Sequence, residues 1–549
     1  MNSYLLTLLL APFIISICSA DYVDRGKTED TNFWLKVGQD NLKRVLQMKE
    51  SRSPVAKNVV IMIGDGMGMT TITASRIYKG QKTKAATGES YSLSFDKFPN
   101  IGLSKTYAVD KQVPDSASTA TALFTGVKTR YSMLKMDARA DSGKYDEATA
   151  KSAALSSVMD WAQEAGKRTG FVTTTRVTHA TPAALYARSV HRDWECDVSV
   201  PENFREMSGL KDIARQLVQE APGNKLNVIL AGGSDMMGSS RNPESACQRG
   251  DGQDLVAEWL HSRTSLNSQG VYVNTTGGLE KAKVNEIDYL MGIFAADHLP
   301  YNAVRDKGPN GTPSLARMTK QALGILQRPD KGFVLMVEGG RIDHAHHKNF
   351  AQLALDEAAE FDEAVKTVLE NTNPEETLVI VTADHSHAFT INGYPLRNND
   401  ILGYTTDNTT YYETLTYANG PGYNYHRQND TQSNKTWISV ENDQNRDLPY
   451  YQHLAAFYLK DETHGGEDVP VYATGPCSHL IRGVFEQNYI AHVMSYAGCM
   501  GPSAKFNPAC SEQCRRNYKL CSRSSASGVN SSIVFVLLIP VILLFNNLL

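Results

Sequence analysis

The sequence predicts an α/β fold with a largely parallel sheet. Two observations carry this. Short β-branched runs at Val59–Ile63, Phe171–Thr174, Val228–Leu230, Phe333–Val337 and Leu378–Thr382 have the length and composition of buried strands, and helical patterns lie between them. Strands alternating with helices build parallel sheets, because each crossover needs a helix-length connection. The second observation is the set of segments just past the strands: "GDGMG" after Ile63, "TRVTHATP" after Thr174, "EGGRIDHAHH" after Val337 and "ADHSH" after Thr382. Four strands thus deliver acids, His or Thr just past their carboxyl ends, the edge where open α/β sheets bind ligands.

Along the chain, "VPDSASTATALFTGVK" (113–128) places Pro114 and Asp115 ahead of a Ser/Ala/Thr run that predicts a helix ending near Gly126. Ser116 then stands at the helix N-terminus. It is either a cap or a hydroxyl facing an anion held by free N–H groups and the helix dipole. No G-x-S-x-G elbow supports a Ser–His–Asp hydrolase. A hydroxyl without a nearby base needs another activator, and metal coordination is one. "VEGGRIDHAHH" (337–347) supplies metal-ligand residue types, although one such cluster is equally a charged turn. The helix Gln352–Glu370 carries Leu353, Ala358, Phe361, Val365 and Val368 at helical spacing. The Tyr- and Asn-rich stretch Thr405–Trp437 interrupts the pattern as an insertion, and "DETHGGEDV" with His464 comes after it.

The chain of 549 residues is 41% hydrophobic and 21% charged with a net charge of −4, a globular composition without the basic character of a nucleic-acid binder. Leu5–Ile17 is apolar but short for a membrane span. With Cys18-Ser19-Ala20 it makes residues 1–20 a signal peptide, or alternatively an anchor, although its start lacks Lys or Arg. At the other end, a Cys/Ser-rich linker (501–527) precedes the apolar run Ile533–Phe545 with no basic tail. This is the pattern of a GPI signal attached among Ser522–Ser527, with 528–549 removed; a tail anchor is the alternative. Seven Cys remain in the mature chain. Cys499, Cys510, Cys514 and Cys521 cluster as short-range disulfides would, with open connectivity. Sequons at Asn274, Asn310, Asn408, Asn429 and Asn434 agree with secretion.

In order along the chain, "VIMIGDGMG", "VPDSASTATA", "TTTRVTHATP", "VEGGRIDHAHH", "TADHSH" and "ETHGGEDV" resemble the motifs of the animal alkaline phosphatases, and the resemblance spans roughly residues 30–500. It implies a catalytic domain over 21–500: a central, largely parallel sheet flanked by helices on both faces, with a small crown-like interface subdomain inserted near 393–462. It implies hydrolysis of phosphate monoesters at alkaline pH through a phosphoserine on Ser116, with two zinc ions and one magnesium. By motif position, Asp343, His347 and His464 match the first zinc's ligands, and Asp65, Asp384 and His385 the second's. Asp65, Thr181 and Glu338 match the magnesium's, and Arg192 in "HRDW" the phosphate-binding arginine. Asp115 lies beside the nucleophile. His179, His344, His346 and His387 are expected as supporting hydrogen-bond partners of ligands or water. At the family's calcium site Ala295 and Thr312 replace acids and Glu244 remains, so calcium is doubtful. The resemblance also implies a homodimer, with Asn32–Lys49 as a crossing helix and Tyr394 reaching the partner's site. The cell-surface, GPI-anchored architecture is similar too. Two rival readings use the same scaffold: a phosphodiesterase or sulfatase, and a GPI-anchored receptor that has lost catalysis.

Overall fold

The computed structural model describes residues 53–511, apart from 86, 206–209, 240–246, 267, 329–330, 409, 428–436 and 438–439, together with helical positions 33, 36, 39 and 40. The signal-peptide and GPI expectations, Cys514 and Cys521, Glu244, Asn429 and Asn434 lie outside the described residues. Among the described residues no helix is long and apolar enough to cross a membrane.

Strand β1 (Asn58–Gly64, NVVIMIG) is buried along its whole length. Its side chains alternate: Val59, Ile61 and Ile63 enter one core, Val60 and Met62 the other. A strand buried on both faces belongs in the middle of a parallel sheet. Joining it are β2 (Asn100–Lys105), β3 (Arg168–Arg176), β4 (Val228–Gly232), β5 (Gly270–Val273), β6 (Tyr289–Ile293), β7 (Phe333–Gly339), β8 (Thr377–Ala383), β15 (Val469–Thr474) and β16 (Gly483–Glu486). The order across this ten-stranded sheet is β16-β2-β15-β8-β1-β7-β3-β4-β6-β5. Only β15 opposes its neighbours; every other pairing is parallel.

The helices that position the site are α1 (Met69–Lys82), α2 (Ser116–Thr125), α3 (Ala180–Ala183), α4 (Leu315–Leu326), α5 (Arg341–His347), α6 (Ala351–Asn371) and α7 (Tyr489–Ala497). Helices α2 and α7 pack Ala117, Leu123, Ile490 and Met494 on one face of the sheet, while α4 and α6 pack Met318, Leu323, Leu353 and Phe361 on the other. The sheet is thus layered between helices, as the sequence predicts.

Among the described residues, three small two-stranded sheets come after β8. They are β10 (Phe389–Ile391) with β13 (Leu415–Tyr417), β11 (Tyr404–Thr406) with β12 (Tyr411–Glu413), and β14 (His464–Gly465) with β9 (Ser386–His387). The insertion is not all surface. Leu415, Tyr417 and Ala455 form a buried cluster with Phe389 and with Ala74, Tyr78 and Leu355 of α1 and α6. Disulfides join Cys196 to Cys247 and Cys499 to Cys510, and Cys477 is a buried free thiol.

Candidate active site

Three adjacent strands end at the same level. Ile63 of β1 pairs with Glu338 of β7 and with Thr382 of β8, and Thr173 of β3 also pairs with Glu338. That register sets Asp65, Glu338 and Asp384 side by side at the carboxyl edge. Gly66 sustains the turn after β1 at φ +68°, and a Cβ there would lie 2.4 Å from the His387 ring. Its N–H donates to Asp384 Oδ1 at 3.0 Å.

Ser116 opens α2. Asp115 is the cap, accepting from Ser118 N at 3.2 Å in a reciprocal box, and the helix closes on Gly126 at φ 76°. Ser116 is therefore not the cap, and its hydroxyl is free for other work. It donates to Asp65 Oδ1 at 3.4 Å and lies 3.3 Å from His385 Nε2. Thr119, one turn along, donates to Asp384 Oδ2 at 3.2 Å. Arg192 donates from Nη1 to Asp115 Oδ2 at 3.1 Å and from Nη2 to His179 Nε2 at 3.0 Å.

The pairing of β14 with β9 sets His464 opposite His387 and brings both to α5. His347 and His464 each commit a ring N–H to a backbone carbonyl: His347 Nδ1 donates to Glu462 O at 2.5 Å and His464 Nδ1 to Pro114 O at 2.8 Å. A carbonyl can only accept, so in the neutral ring each Nε2 carries a lone pair. Those atoms lie 3.2 Å apart, each 3.3 Å from Asp343 Oδ1. His385 repeats the device, its Nδ1 donating to Ser386 O at 3.2 Å and its Nε2 lying 3.2 Å from Asp384 Oδ2 and 3.5 Å from Asp65 Oδ1. Two lone pairs facing each other are repulsive until a Lewis acid sits between them. This donor set of imidazole and carboxylate suits zinc.

A third group is oxygen-rich. Asp65 Oδ2, Thr181 Oγ1 of α3 and Glu338 Oε1 are buried and, among the described residues, have no hydrogen-bond partner. The other oxygen of Glu338 accepts from Thr173 and, at 3.3 Å, from Thr175. Burial raises the Glu338 carboxyl to about 7 and lifts Asp65 well above the carboxylate range, with Asp384 and Asp343 adding to the rise at Asp65. Orphaned carboxylate oxygens at this density fit a hard divalent cation.

The four supporting histidines divide. His387 donates from Nδ1 to Glu462 Oε2 at 2.5 Å and from Nε2 to Asp343 Oδ1 at 2.7 Å. Burial opposes its charge, but Glu462 and Asp343 outweigh it and push the imidazolium up to about 10. His179 receives Arg192. His344 instead accepts from Arg341 Nη1 at 3.0 Å, and His346 lies between Thr71 Oγ1 at 3.0 Å and the Tyr417 hydroxyl at 2.8 Å. Neither of the last two bonds a member of the three groups. His344, one place from Asp343, leaves the helix face that Asp343 shares with His347, whereas His346 is held away by its own partners, Thr71 and Tyr417. Tyr394 is 97% exposed. Asn274, Asn310 and Asn408 are exposed. Thr312 Oγ1 is buried without a partner among the described residues, and the Ala295 carbonyl accepts from Gly233 and Ser234.

Sequence reasoning missed Glu462, which orients His387 and, through its carbonyl, His347. Its only signal is its place two residues before His464. It also missed Thr173 and Thr175, whose period-two spacing on β3 aims both hydroxyls at Glu338.

Residues 56–500 match the family model described as Alkaline phosphatase. The chain is 49% identical over 520 residues to alkaline phosphatase 4 of Drosophila melanogaster, covering 89% of this chain and 85% of that one. It is 38% identical over 482 residues to the membrane-bound alkaline phosphatase of Bombyx mori, covering 86% of each. In fold it is similar to the alkaline phosphatase of the Antarctic bacterium TAB5, with a TM-score of 0.55 and 23% identity over 82% of this chain and 99% of that one. With the sheet, its ligand-rich edge and these similarities together, the chain belongs to the alkaline phosphatase family.

Proposed function

We propose that Ser116 is the nucleophile of a metal-dependent phosphate monoesterase and that Arg192 grips the substrate's phosphate. Asp343, His347 and His464 would hold one zinc, Asp65, Asp384 and His385 a second, and Asp65, Thr181 and Glu338 a magnesium. Bound there, the ions supply Lewis-acid stabilisation of attacking and leaving oxygens and lower the pKa of oxygens they bind.

The residues then divide the work. Arg192, held from below by Asp115 and His179, presents a planar fork to two phosphate oxygens. The N-terminal N–H groups of α2 face the same anion. Ser116 Oγ bonds to phosphorus as the ester oxygen leaves with the alcohol. Water then attacks the phosphoserine, regenerating Ser116 and releasing inorganic phosphate. The single observation supporting this reading is the hydroxyl of Ser116 between Asp65 and His385, beside imidazoles whose lone pairs are already aimed inward.

The test is metal content paired with activity. Zinc and magnesium are counted in the purified protein, and turnover of a phosphate monoester, a diester and a sulfate ester is compared before and after chelation. Monoester preference that disappears with the metals is expected. Undiminished activity in fully metal-free protein overturns the reading.

We extend the proposal to a GPI-anchored homodimer on the outer cell surface. The near-complete exposure of Tyr394, with exposed Leu396, Phe457 and Tyr458 in the same inserted region, supports a partner surface there. The similarity to a relative named membrane-bound supports the anchor.

A further inference from the structure

We propose that His298 is a positioning residue for phosphate binding, acting on Arg192 through His179. The proposal rests on the reading of Arg192 as the phosphate-gripping residue.

His298 lies in the loop after β6, outside every motif that marks the site. Its side chain is 12% exposed. The loop is pinned to β3, with Leu299 N donating to Thr174 O at 3.0 Å. Arg176, the last residue of β3, brackets the imidazole: its backbone N–H donates to Nδ1 at 3.0 Å, and its guanidinium Nη1 lies 2.7 Å from Nε2. A neutral imidazole accepts at only one nitrogen; with Nδ1 accepting the backbone N–H and the guanidinium packed against the Nε2 side, the ring is held in one orientation. Arg176 is itself fixed by Glu195 at 2.6 and 2.8 Å and by Asp297 at 2.7 Å.

This anchored ring packs on His344 and on His179, the partner of Arg192. Its centroid is 4.2 Å from that of His344, and it meets His179 edge-on at 5.4 Å. His344 meets His179 edge-on at 5.3 Å. His179 is thus wedged between two rings, with its Nε2 accepting from Arg192 at 3.0 Å. Among the described residues its other nitrogen, Nδ1, is buried without a hydrogen-bond partner. The packing of His298 and His344 supports the ring from that side. Removing His298 opens space behind His179, frees its ring to turn, and releases one of the two groups that orient the guanidinium.

The test compares His298→Ala, Arg192→Ala and the double variant, with the Ki of inorganic phosphate and the KM of a phosphate monoester as readouts. His298→Ala should raise both by about 10-fold, the low end of what loss of an orienting neighbour costs, with kcat and metal content kept. In the Arg192→Ala background the same change should add nothing, because its target is gone. A merely structural role predicts equal losses in both backgrounds, and that result overturns the proposal. So does an unchanged Ki in His298→Ala while Arg192→Ala weakens phosphate. If Arg192→Ala itself leaves phosphate affinity intact, the underlying reading of Arg192 fails instead. His298→Gln serves in the same cycle should the alanine variant not fold.

Discussion

His347 and His464, 117 positions apart in the chain, face each other with their Nε2 atoms 3.2 Å apart. Each has its proton drawn to the opposite side of the ring by a carbonyl, of Glu462 and Pro114 respectively. The fold therefore spends two backbone hydrogen bonds on holding two lone pairs in mutual repulsion. That arrangement is stable only with positive charge between them, and Asp343 adds an anion to the same point.

Glu462 is the first place to test this. It braces His387 through its carboxylate, and that carboxylate also accepts from Ala388 N at 2.6 Å. Glu462→Gln leaves all three proposed zinc ligands in place but removes the anion that keeps His387 charged. Zinc affinity, measured by competition with a chelator, should fall by roughly 10–100-fold. Excess zinc should restore activity; activity that zinc cannot restore would place Glu462 in the chemistry itself.

Ser116→Ala tests the nucleophile separately from the metals. The hydroxyl is the only part of Ser116 that reaches Asp65 and His385, so zinc content should be kept. Turnover should drop by about 10³-fold or more, as it does when a covalent nucleophile is removed from an otherwise intact site. No phosphorylated protein should be trapped on acid quench. A labelled phosphoprotein in the alanine variant would point to a different nucleophile.

Arg192→Lys keeps the charge and loses the fork. A lysine cannot donate to Asp115, His179 and two phosphate oxygens at once. Losing a charge-assisted hydrogen bond costs about 1.5–3 kcal/mol, which corresponds to a rise of roughly 10- to 100-fold in KM and in the Ki of phosphate. Equal constants in the two proteins would mean that charge alone suffices.

The parallel sheet and its loaded edge were legible in the sequence because both are local signals. Val59–Ile63 and Phe333–Val337 are unbroken apolar runs, and Asp65 and Glu338 come within two residues of their ends. The helix at Ser116 was legible down to its end at Gly126. The division among the histidines was not. His344 and His346 stand in the same motif as His347, and their partners, Arg341 for one and Thr71 with Tyr417 for the other, set them apart from it. Glu462, Thr173 and His298 were invisible for a related reason: each acts across the register of β14 with β9, of β3 with β7, or of the loop after β6, and tertiary pairing leaves no periodicity to read.

The last prediction concerns a buried acid away from the metals. Glu357, on α6, is 4% exposed and accepts from Asn302 N at 2.6 Å. Burial pushes its carboxyl up to about 7; the Asn302 N–H and Arg341 oppose this, while Asp356 and Glu360 reinforce it. With the folded pKa above the ordinary 4.5, the folded chain holds a proton that the unfolded chain has lost between those values. This contribution to stability is therefore complete below about pH 4.5 and declines as pH rises to about 7. Glu357→Gln keeps an oxygen for Asn302 and cannot ionise, so its advantage over the parent should be smaller at pH 5.5 than at pH 8.5. At about 1.36 kcal/mol per pH unit, the span from 4.5 to 7 bounds the gain at about 3 kcal/mol. Urea unfolding of metal-loaded protein at pH 5.5 and pH 8.5 measures it, and a Gln variant no more stable than the parent at pH 8.5 would show that Glu357 ionises in the fold without cost.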